Sequence, residues 1–380
     1  MIINVVSSGG RTHMLDTARE LERYGHIVRF YSFVPTKRAI QYGLKKECSY
    51  TLFYWALPFL ILFKIFGFKR WCITLYQRFF DNFLCFYMGK CDIIIGQSPL
   101  AYKCMKRMKS KYGSIAILER GTSHILEQIK NLEGAPKSEY PNTFIANYRK
   151  KIDLEGYNVA DYISVGSEHV KDSFIKHGFK SDSIFVNNYG CDLSQFCATP
   201  VDYYKYDIIQ VGQWGFRKGA DLITKVCQKR GLHFLHVGAI TDIPFPFDIK
   251  CMKHVDPVRQ SELINYYKLA KCFVMPSREE GLAMVQVQAL ACGLPLVCSK
   301  NSGGEDLNNY TMSKDWIIVM ESLTEESLEI AIDQALILAN KQNKIRKTMD
   351  EEGYRNISWN GYGVRYNEFL KKVTQKNGKN

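Results

Sequence analysis

The sequence predicts an α/β protein with two domains, each built around a parallel sheet. The chain has 380 residues, which is long for one domain and comfortable for two. Near its beginning, an apolar strand at 2–6 is followed by a glycine turn, a helix at 14–25 and a second strand at 26–33. Far along the chain, residues 272–299 repeat this order of strand, turn, helix and strand, which is the unit of a parallel sheet.

The cysteines predict a reducing compartment. The chain contains 12 cysteines, none of them in a C-x-x-C pair, and most lie in apolar runs. This pattern indicates buried thiols rather than a disulfide framework or a zinc site. Because Met1 leads directly into an apolar strand, we expect no secretory signal and a cytoplasmic location.

Positive charge is concentrated in the first third of the chain. Residues 1–111 hold 18 Lys and Arg against 6 Asp and Glu, and the whole chain has a net charge of +13. The remaining residues are therefore almost neutral. A basic and asymmetric half suggests contact with nucleic acid or with an anionic membrane surface.

The first turn of the chain is a candidate ligand contact. Gly9 and Gly10 allow a ligand to approach the backbone closely, although the turn does not match the G-x-G-x-x-G pattern of dinucleotide-binding proteins. His13, on the helix that follows, either faces a cleft or lies on an ordinary helix surface.

An unusual apolar segment runs from Leu52 to Phe63. Its 12 residues are too few to span a bilayer, which needs about 20. Aromatic and basic residues follow it, and such a mixture is typical of a segment that lies in a membrane interface. The alternative is a buried helix of an enlarged first domain. The predicted membrane contacts are Trp55, Lys64, Lys69, Arg70 and Trp71.

A second basic cluster partly follows one helix face, at residues 103–111. It could contact nucleic acid, but no recognised nucleic-acid-binding module accompanies it. We therefore do not expect nucleic acid as a partner.

Two glutamates mark the predicted ligand crevice of the second domain. Glu279 and Glu280 follow the strand that ends at Met275, and a helix is predicted from about Leu282 until Gly293 ends it. Ligands of open α/β sheets bind where strands end and helices begin. Free N–H groups at such a place favour phosphate, and a carboxylate can accept hydrogen bonds from sugar hydroxyls.

This segment resembles the nucleotide-sugar signature of the retaining GT-B glycosyltransferases of family four. Their pattern is E-G-x-G followed by E-A-x-A-x-G-x-P-V, with seven residues between the two glutamates. Glu280 and Gly281 match its beginning, but Gln288 replaces the second glutamate and Ala283 stands where glycine is common. The resemblance implies that Glu280 orients the donor sugar, that Gln288 contacts the ribose, and that Gly281, Leu282 and Ala283 line the donor site.

The beginning of the second domain, DIIQVGQWGFRKGADLI, resembles the V-G-R-x-x-x-x-K-G pattern of the same family. Lys218 matches the lysine associated with the donor diphosphate, and Arg217 could assist it. Gln213 replaces the arginine that usually accompanies this lysine. The alternative is a solvated basic turn before a helix.

In this family the loop after the strand at 114–118 points into the cleft. Arg120 could bind phosphate or the acceptor there, and His124 could contact the donor or the acceptor. A loop whose charges only pair with each other is an equal alternative. Gly10 is predicted as a further donor contact. The predicted catalytic residues are Glu280, Lys218, His124 and Arg120.

The resemblance implies a GT-B fold, with two Rossmann-like domains facing across a cleft. We assign residues 1–199 to the acceptor-side domain and 200–357 to the nucleotide-sugar-binding domain. A terminal helix at about 358–376 is expected to cross back to the first domain.

The predicted function is retaining transfer of a hexose from a nucleoside-diphosphate sugar, with a UDP-sugar preferred to a GDP-sugar. We expect no metal and no cofactor. The acceptor would be a glycan, lipid-linked, in surface polysaccharide or lipopolysaccharide synthesis at the inner face of the cell membrane. The alternatives are an inactive GT-B protein that binds sugar nucleotide or a partner, a GT-B sugar-nucleotide epimerase, and an oxidoreductase, which the missing G-x-G-x-x-G pattern disfavours.

Overall fold

Two parallel sheets form the framework of the protein. The computed structural model describes residues 1–7, 12–67, 69–136, 147–342 and 346–378, and only the backbone of Arg70. Gly9 and Gly10 lie outside the described residues, so the predicted donor contact at Gly10 stays a prediction. The described sheets have seven and six strands, and every pair of neighbouring strands is parallel. The prediction of two parallel α/β domains is confirmed.

The first sheet has the strand order β3-β2-β1-β4-β5-β6-β7. Its strands are β1 (Ile2–Val6), β2 (Ile27–Ser32), β3 (Ser49–Thr51), β4 (Ile93–Gln97), β5 (Ile115–Arg120), β6 (Tyr162–Val165) and β7 (Ile184–Val186). The helices between them are α1 (His13–Arg23), α2 (Thr36–Gln41), α3 (Phe53–Phe66), α4 (Arg70–Tyr87), α5 (Tyr102–Tyr112), α6 (Ile125–Asn131), α7 (Asn147–Val159) and α8 (Glu168–Lys176).

The second sheet has the strand order β10-β9-β8-β11-β12-β13. Its strands are β8 (Tyr206–Val211), β9 (Phe234–Val237), β10 (Met252–Val255), β11 (Ala270–Met275), β12 (Leu296–Ser299) and β13 (Ile317–Met320). The helices are α9 (Ala220–Arg230), α10 (Leu263–Tyr267), α11 (Met284–Ala291) and α12 (Glu325–Lys341). Short 3-10 turns occur at Phe216–Lys218, Gln260–Glu262, Gly303–Tyr310 and Lys314–Trp316, and in the first domain at Lys46–Cys48 and Ser181–Ser183.

Apolar runs explain why the central strands are buried. Helices cover both faces of a parallel sheet, so its strands need apolar side chains on both sides. Ile93, Ile94 and Ile95 of β4 are fully buried, and so are Phe273, Val274 and Met275 of β11. Strands β4 and β11 therefore contribute apolar side chains to the cores on both faces of their sheets.

The end of the chain returns to the first domain. Helix α13 (Glu351–Ile357) leads into α14 (Trp359–Lys376), which packs against α1. The Tyr362 hydroxyl lies 2.9 Å from the hydroxyl of Thr17, and His26 Nε2 lies 2.9 Å from Asn367 Oδ1. The last helix therefore fastens the second domain to the first.

Helices α3 and α4 form a hairpin with an exposed apolar surface. Phe59 and Phe80 pack against each other with ring centroids 5.7 Å apart, which joins the two helices. Most of the other apolar side chains of α3 are exposed instead of buried, including Trp55 at 51% and Ile65 at 67%. The alternative of a fully buried helix in this region does not hold. We call this surface the hairpin surface; it comprises Tyr54, Trp55, Leu57, Leu60, Ile61, Ile65 and Phe66 of α3 with Trp71, Leu75, Phe79, Phe86 and Tyr87 of α4.

Two further observations concern cysteines and membrane spans. All 12 cysteines are free thiols, and Cys197 is the exposed one. In the described part of the chain, none of the helices combines the length and the apolar character needed to cross a membrane.

Candidate functional site

The candidate site is a cleft of about 380 Å³ where the two domains meet. One wall comes from the first domain and the other from the segment between β11 and α11 in the second. The cleft is lined by Thr12, His13, Gln97, Ser98, Arg120, Gly121, Thr122, Arg149, Tyr189, Glu280, Leu282, Ala283 and Met284. It therefore lies beyond the carboxyl ends of the strands, as expected for a ligand crevice in an α/β protein.

Glu280, on the second-domain wall of the cleft, binds two cations. Glu280 Oε2 accepts a hydrogen bond from Arg217 Nη1 at 2.9 Å and a very short one from Lys218 Nζ. Arg217 Nη1 also donates to the backbone carbonyl of Glu279 at 3.1 Å. The structure thus brings together three residues that the sequence predicted for the donor site.

These charges shift one another's pKa. Burial alone would raise the pKa of Glu280, but Lys218 and Arg217 outweigh it and lower this pKa to about 2. Burial lowers the pKa of Lys218, and Glu280 opposes that effect. Glu280 is therefore ionised at neutral pH, where it can accept hydrogen bonds but cannot supply a proton.

A tight turn places Lys218 next to Glu280. The residues Phe216–Lys218 form one 3-10 turn, and Gly219 follows it with a φ of +72°. A Cβ at Gly219 would lie 2.4 Å from the backbone oxygen of Pro276, at the end of β11. Glycine is therefore required at position 219 for two reasons: its positive φ, and the close approach of the two loops.

The loops of the two domains touch at a pair of glycines. A Cβ at Gly281 would lie 2.3 Å from the carbonyl oxygen of Gly121 in the first domain. The carbonyl oxygen of Gly281 accepts a hydrogen bond from the hydroxyl of Ser167, also in the first domain, at 3.1 Å. Gly281 therefore acts as a contact between the domains beside the cleft.

Glu279 forms a second contact between the domains. Its Oε1 accepts a hydrogen bond from the backbone N–H of Ser123 at 3.1 Å, and its Oε2 accepts one from Gln128 Nε2 at 3.3 Å. Arg217 Nη1 lies 3.9 Å from the same carboxylate, which is fully buried. Burial raises the pKa of Glu279. The signature pattern does not point to this residue, because its role depends on the other domain.

Arg120 lines the cleft but is engaged within the first domain. Its guanidinium donates to Asp153 Oδ2 at 3.0 Å, to Ser98 Oγ at 3.0 Å and to Gln128 Oε1 at 2.9 Å. With 2% exposure, it supports the wall of the cleft through an internal ion pair. The charged partner of Arg120 is therefore Asp153 of α7 and not another residue of the loop after β5.

His124 does not line the cleft. It caps the start of α6, where its Nδ1 accepts a hydrogen bond from Leu126 N at 3.4 Å. Its ring stacks on His177 at a centroid distance of 4.1 Å and contacts Tyr157 and Phe174. Burial, with some repulsion from His177 and Arg120, lowers the pKa of His124 to about 4. The structure therefore gives His124 a place in the core of the first domain.

The other predicted donor contacts lie around the start of α11. Leu282 and Ala283 line the cleft, and both precede the helix, which begins at Met284 rather than near Leu282. Leu282 lies close to Gly166 of the first domain, where an added Cβ would come within 3.4 Å of the Leu282 Cβ. Gln288 lies deeper on α11, with Oε1 accepting a hydrogen bond from the Tyr267 hydroxyl at 3.3 Å.

The first-domain wall contains functional candidates that sequence reasoning found only in part. His13 faces the cleft, where its Nε2 lies 3.1 Å from Glu119 Oε1 and its ring stacks on Tyr189 at 4.3 Å. Arg149 of α7 also faces the cleft. No local pattern marks Arg149, because only the packing of α7 beside β5 brings it there.

No metal site is formed by the described residues. They contain no group of three or more His, Cys, Asp or Glu side chains placed to hold an ion.

The basic cluster on α5 is largely engaged within the domain, since Lys109 pairs with Asp161 at 2.6 Å and Arg107 donates to the Cys85 carbonyl.

Sequence comparison links the second domain to a known family. Residues 251–354 match the family model described as glycosyl transferases group 1. Sulfoquinovosyl transferase SQD2 of Arabidopsis thaliana is 30% identical over 106 residues, which are 26% of this chain and 20% of that protein. The match therefore spans about a fifth of the length of this curated relative.

Structural comparison extends over the whole chain. Sucrose-phosphate synthase from Thermosynechococcus elongatus is similar with a TM-score of 0.66 and 13% identity, over 99% of this chain and 100% of that chain. Anabaena HepE in complex with UDP and glucose gives a TM-score of 0.60 and 14% identity, over 98% and 100%. The lipopolysaccharide outer core galactosyltransferase WaaB gives 0.59 and 11%, over 98% and 100%. The chain therefore has the GT-B fold of these glycosyltransferases, and the match to the glycosyl transferases group 1 model is confined to residues 251–354 of the second domain.

Proposed function

We propose that this protein is a retaining glycosyltransferase that moves a hexose from a UDP-sugar to a lipid-linked glycan acceptor. The single observation that carries the proposal is Glu280 on the wall of the interdomain cleft, with Lys218 and Arg217 bound to its carboxylate. HepE, a protein of the same fold, was solved with UDP and glucose and with UDP-glucose. This supports a UDP-sugar as the donor.

Lys218 and Arg217 supply the charge for the leaving group. Transfer breaks the bond between the sugar and the diphosphate, and the nucleoside diphosphate departs with the bonding electrons. Two cations beside the departing oxygen stabilise the negative charge that develops there, and they do so strongly because the site is buried. In the proposed mechanism the diphosphate shares these cations with Glu280, so the carboxylate stays ionised while the donor is bound.

Glu280 orients the donor sugar. Its carboxylate is ionised at neutral pH, so it accepts hydrogen bonds from sugar hydroxyls and does not act as an acid. Hydrogen bonds to an ionised group are about twice as strong as those between neutral groups. The neutral amide of Gln288 would contact the ribose, where it retains hydrogen bonding without charge.

The hairpin surface supports a membrane location for the acceptor side. Exposed apolar patches of this kind are rare on soluble monomers and mark interaction surfaces. Lys64 and Lys69 are exposed beside it, and Trp55 and Trp71 are half exposed. Aromatic rings and cations together suit the interface of an anionic bilayer. We therefore propose peripheral binding at the inner face of the cell membrane, in synthesis of a surface polysaccharide or lipopolysaccharide.

Substitution of Glu280 by glutamine tests the proposed role of the carboxylate. Glu280→Gln is expected to lower the turnover of UDP-sugar roughly 10- to 100-fold, because it removes charge-assisted hydrogen bonds to the sugar. Binding of UDP should persist or become tighter, since the competing carboxylate is gone. Released UDP and the anomeric configuration of the product are measured with several UDP- and GDP-sugars.

The matched control is Glu329→Gln, which removes a carboxylate that pairs with Lys229 on the surface of the second domain. It should leave turnover unchanged. Equal turnover in Glu280→Gln and wild type would remove the assigned role of Glu280. A folded wild-type protein that binds UDP but turns over no donor would instead favour the inactive GT-B alternative, to which Gln213 and Gln288 point.

A further inference from the structure

Arg149 is a cation in the cleft that lacks a full partner. It lies in the first turn of α7 and its side chain is 23% exposed. Its Nε is buried and makes no hydrogen bond with any group in the described ranges. The nearest carboxylate oxygen, Asp153 Oδ2, is 3.7 Å from this Nε, which is too far for a hydrogen bond.

Asp153 is shared by Arg149 and Arg120. The same oxygen, Oδ2, accepts the hydrogen bond from Arg120 at 3.0 Å, and the other oxygen binds the hydroxyl of Ser98. Two guanidinium groups therefore share one carboxylate, and Arg149 makes the longer of the two contacts. Burial lowers the pKa of Arg149, which is the sign of a charge that has lost part of its water.

A partly buried guanidinium whose Nε makes no hydrogen bond in the described ranges is costly unless a ligand compensates it. A planar guanidinium recognises phosphate particularly well, because two of its N–H groups can bind two phosphate oxygens at once. A neutral sugar would not neutralise this charge. The ligand that suits Arg149 is therefore an anion of phosphate type.

The position of α7 links this cation to the hairpin surface. The ring of Tyr148, the neighbour of Arg149, lies under the guanidinium of Arg78 from α4, with 4.9 Å between Cζ and the ring centroid. The start of α7 thus contacts the hairpin on one side and the cleft on the other. Arg149 therefore lies on a segment that connects the hairpin with the cleft.

We infer that Arg149 binds a phosphate group of the acceptor and holds the acceptor in the cleft. The inference rests on the proposed function, since it assumes that the acceptor enters this cleft. The phosphate could belong to a membrane lipid or to a soluble sugar phosphate. Both present the same dianionic group to the guanidinium.

The probes are two sets of phosphatidylcholine vesicles with equal anionic charge. One set carries geranylgeranyl phosphate, and the other carries geranylgeraniol with enough phosphatidylglycerol to match that charge. Wild-type protein is expected to bind the phosphate vesicles roughly tenfold or more tightly than the alcohol vesicles. Arg149→Met should abolish most of this preference, and Arg149→Lys should retain part of it, because a lysine keeps the charge without the planar geometry. The control, Lys151→Met, removes a cation from the same helix whose side chain is 73% exposed.

Competition with inorganic phosphate distinguishes the two sources. A preference that survives excess phosphate assigns the site to a lipid phosphate, and one that inorganic phosphate removes assigns it to a soluble phosphate ester; both support the phosphate site. If Arg149→Met keeps the wild-type preference, or wild type shows none, the inference is wrong. Thermal stabilisation by UDP is measured on the same samples. If UDP does not stabilise the wild-type protein, the proposed function fails, and this outcome is independent of the result for Arg149.

Discussion

At the scale of single residues, buried charges control the chemistry of this protein. Glu280 stays ionised because two cations surround it, whereas Glu279, one residue earlier, has a raised pKa because burial dominates. Adjacent carboxylates thereby have different roles. One faces the cleft as a hydrogen-bond acceptor, and the other joins the domains through Ser123 and Gln128.

Asp81 provides a test of buried charge far from the cleft. It lies on α4 with a fully buried side chain, and its Oδ2 has no hydrogen bond within the described chain. Its Oδ1 accepts one from the backbone N–H of Lys103 at 3.1 Å. Burial raises the pKa of Asp81 to about 6. A proton therefore binds to the Asp81 carboxylate more tightly in the folded state than in the unfolded chain, in which the pKa of an aspartate is about 3.9.

The substitution Asp81→Asn should stabilise the protein at neutral pH. The contribution of Asp81 to the free energy of unfolding is most favourable below about pH 4 and is lost as the pH rises through about 6. Removing the charge should raise the free energy of unfolding by about 1–3 kcal/mol at pH 7.5, with a much smaller effect near pH 4. Denaturant titrations at both pH values measure this.

The control for this prediction is Asp182→Asn, which changes a carboxylate whose side chain is 72% exposed. Its effect should be small at both pH values. A destabilised Asp81→Asn protein at pH 7.5 would show that the carboxylate is stabilised by its surroundings, contrary to the buried-charge account.

Sequence patterns predicted some of these residues and missed others. Lys218 and Glu280 belong to local patterns of fixed spacing, so their positions could be inferred without the fold. Glu279 and Arg149 could not be assigned, because their partners come from distant parts of the chain. The position of His124 after β5 predicts a place in the cleft. In the structure, Tyr157 of α7 and Phe174 of α8 instead pack around its ring inside the domain.

At the scale of elements, the α3–α4 hairpin is the most unusual part of the structure. Helices on a protein surface normally turn a polar face toward the solvent, and α3 does not. Helix α3 is apolar on nearly all sides, although only Ala56 among its residues is buried. A helix that is hydrophobic all round needs an apolar environment. The sequence predicted this exposure from the apolar run and the adjacent cations, but it could not show that two helices pack together to form the surface.

Acidic substitutions on the hairpin surface should weaken membrane binding. Ile61 and Ile65 are 60% and 67% exposed, so the double variant Ile61→Glu and Ile65→Glu should fold normally. It loses apolar burial in the bilayer, which is worth roughly 1.5–3 kcal/mol for each fully buried isoleucine, and it adds repulsion from anionic lipid. We expect vesicle affinity to fall by at least about tenfold, measured by sedimentation with phosphatidylglycerol vesicles.

The matched control is Ile330→Glu on α12, because Ile330 is also 60% exposed but lies on the second domain. It should bind vesicles like wild type. Unchanged binding of the double variant would contradict the membrane assignment. So would a stable dimer in analytical ultracentrifugation that the double variant converts to monomers, since the surface would then be a contact between two copies.

At the scale of the whole molecule, the two domains are joined on both sides of the cleft. Gly281 and Glu279 contact the first domain beside the cleft, and α14 packs on α1 behind it. The Asp306 carboxylate adds a further link, since it accepts hydrogen bonds from Glu168 N at 2.8 Å and Asn188 Nδ2 at 3.0 Å. The two-domain order could be predicted from repeated strand–helix units, whereas these contacts depend on the relative placement of the domains.

The central claim is that Lys218 and Arg217 form the diphosphate site of a nucleotide-sugar transferase. The most direct measurement is thermal stabilisation by UDP, compared with UMP, in wild type and in Lys218→Met. Lys225→Met is the control, since Lys225 is an exposed lysine of α9 that pairs with Glu325. A ligand at 100 times its Kd stabilises the folded state by about 2.7 kcal/mol.

We predict that UDP stabilises wild type and Lys225→Met by a few degrees, that UMP does so much less, and that Lys218→Met loses most of the UDP effect. This result would show that the second phosphate is bound and that Lys218 binds it. Equal stabilisation of Lys218→Met and wild type by UDP, or no stabilisation of folded wild type by any nucleoside diphosphate, would contradict the account.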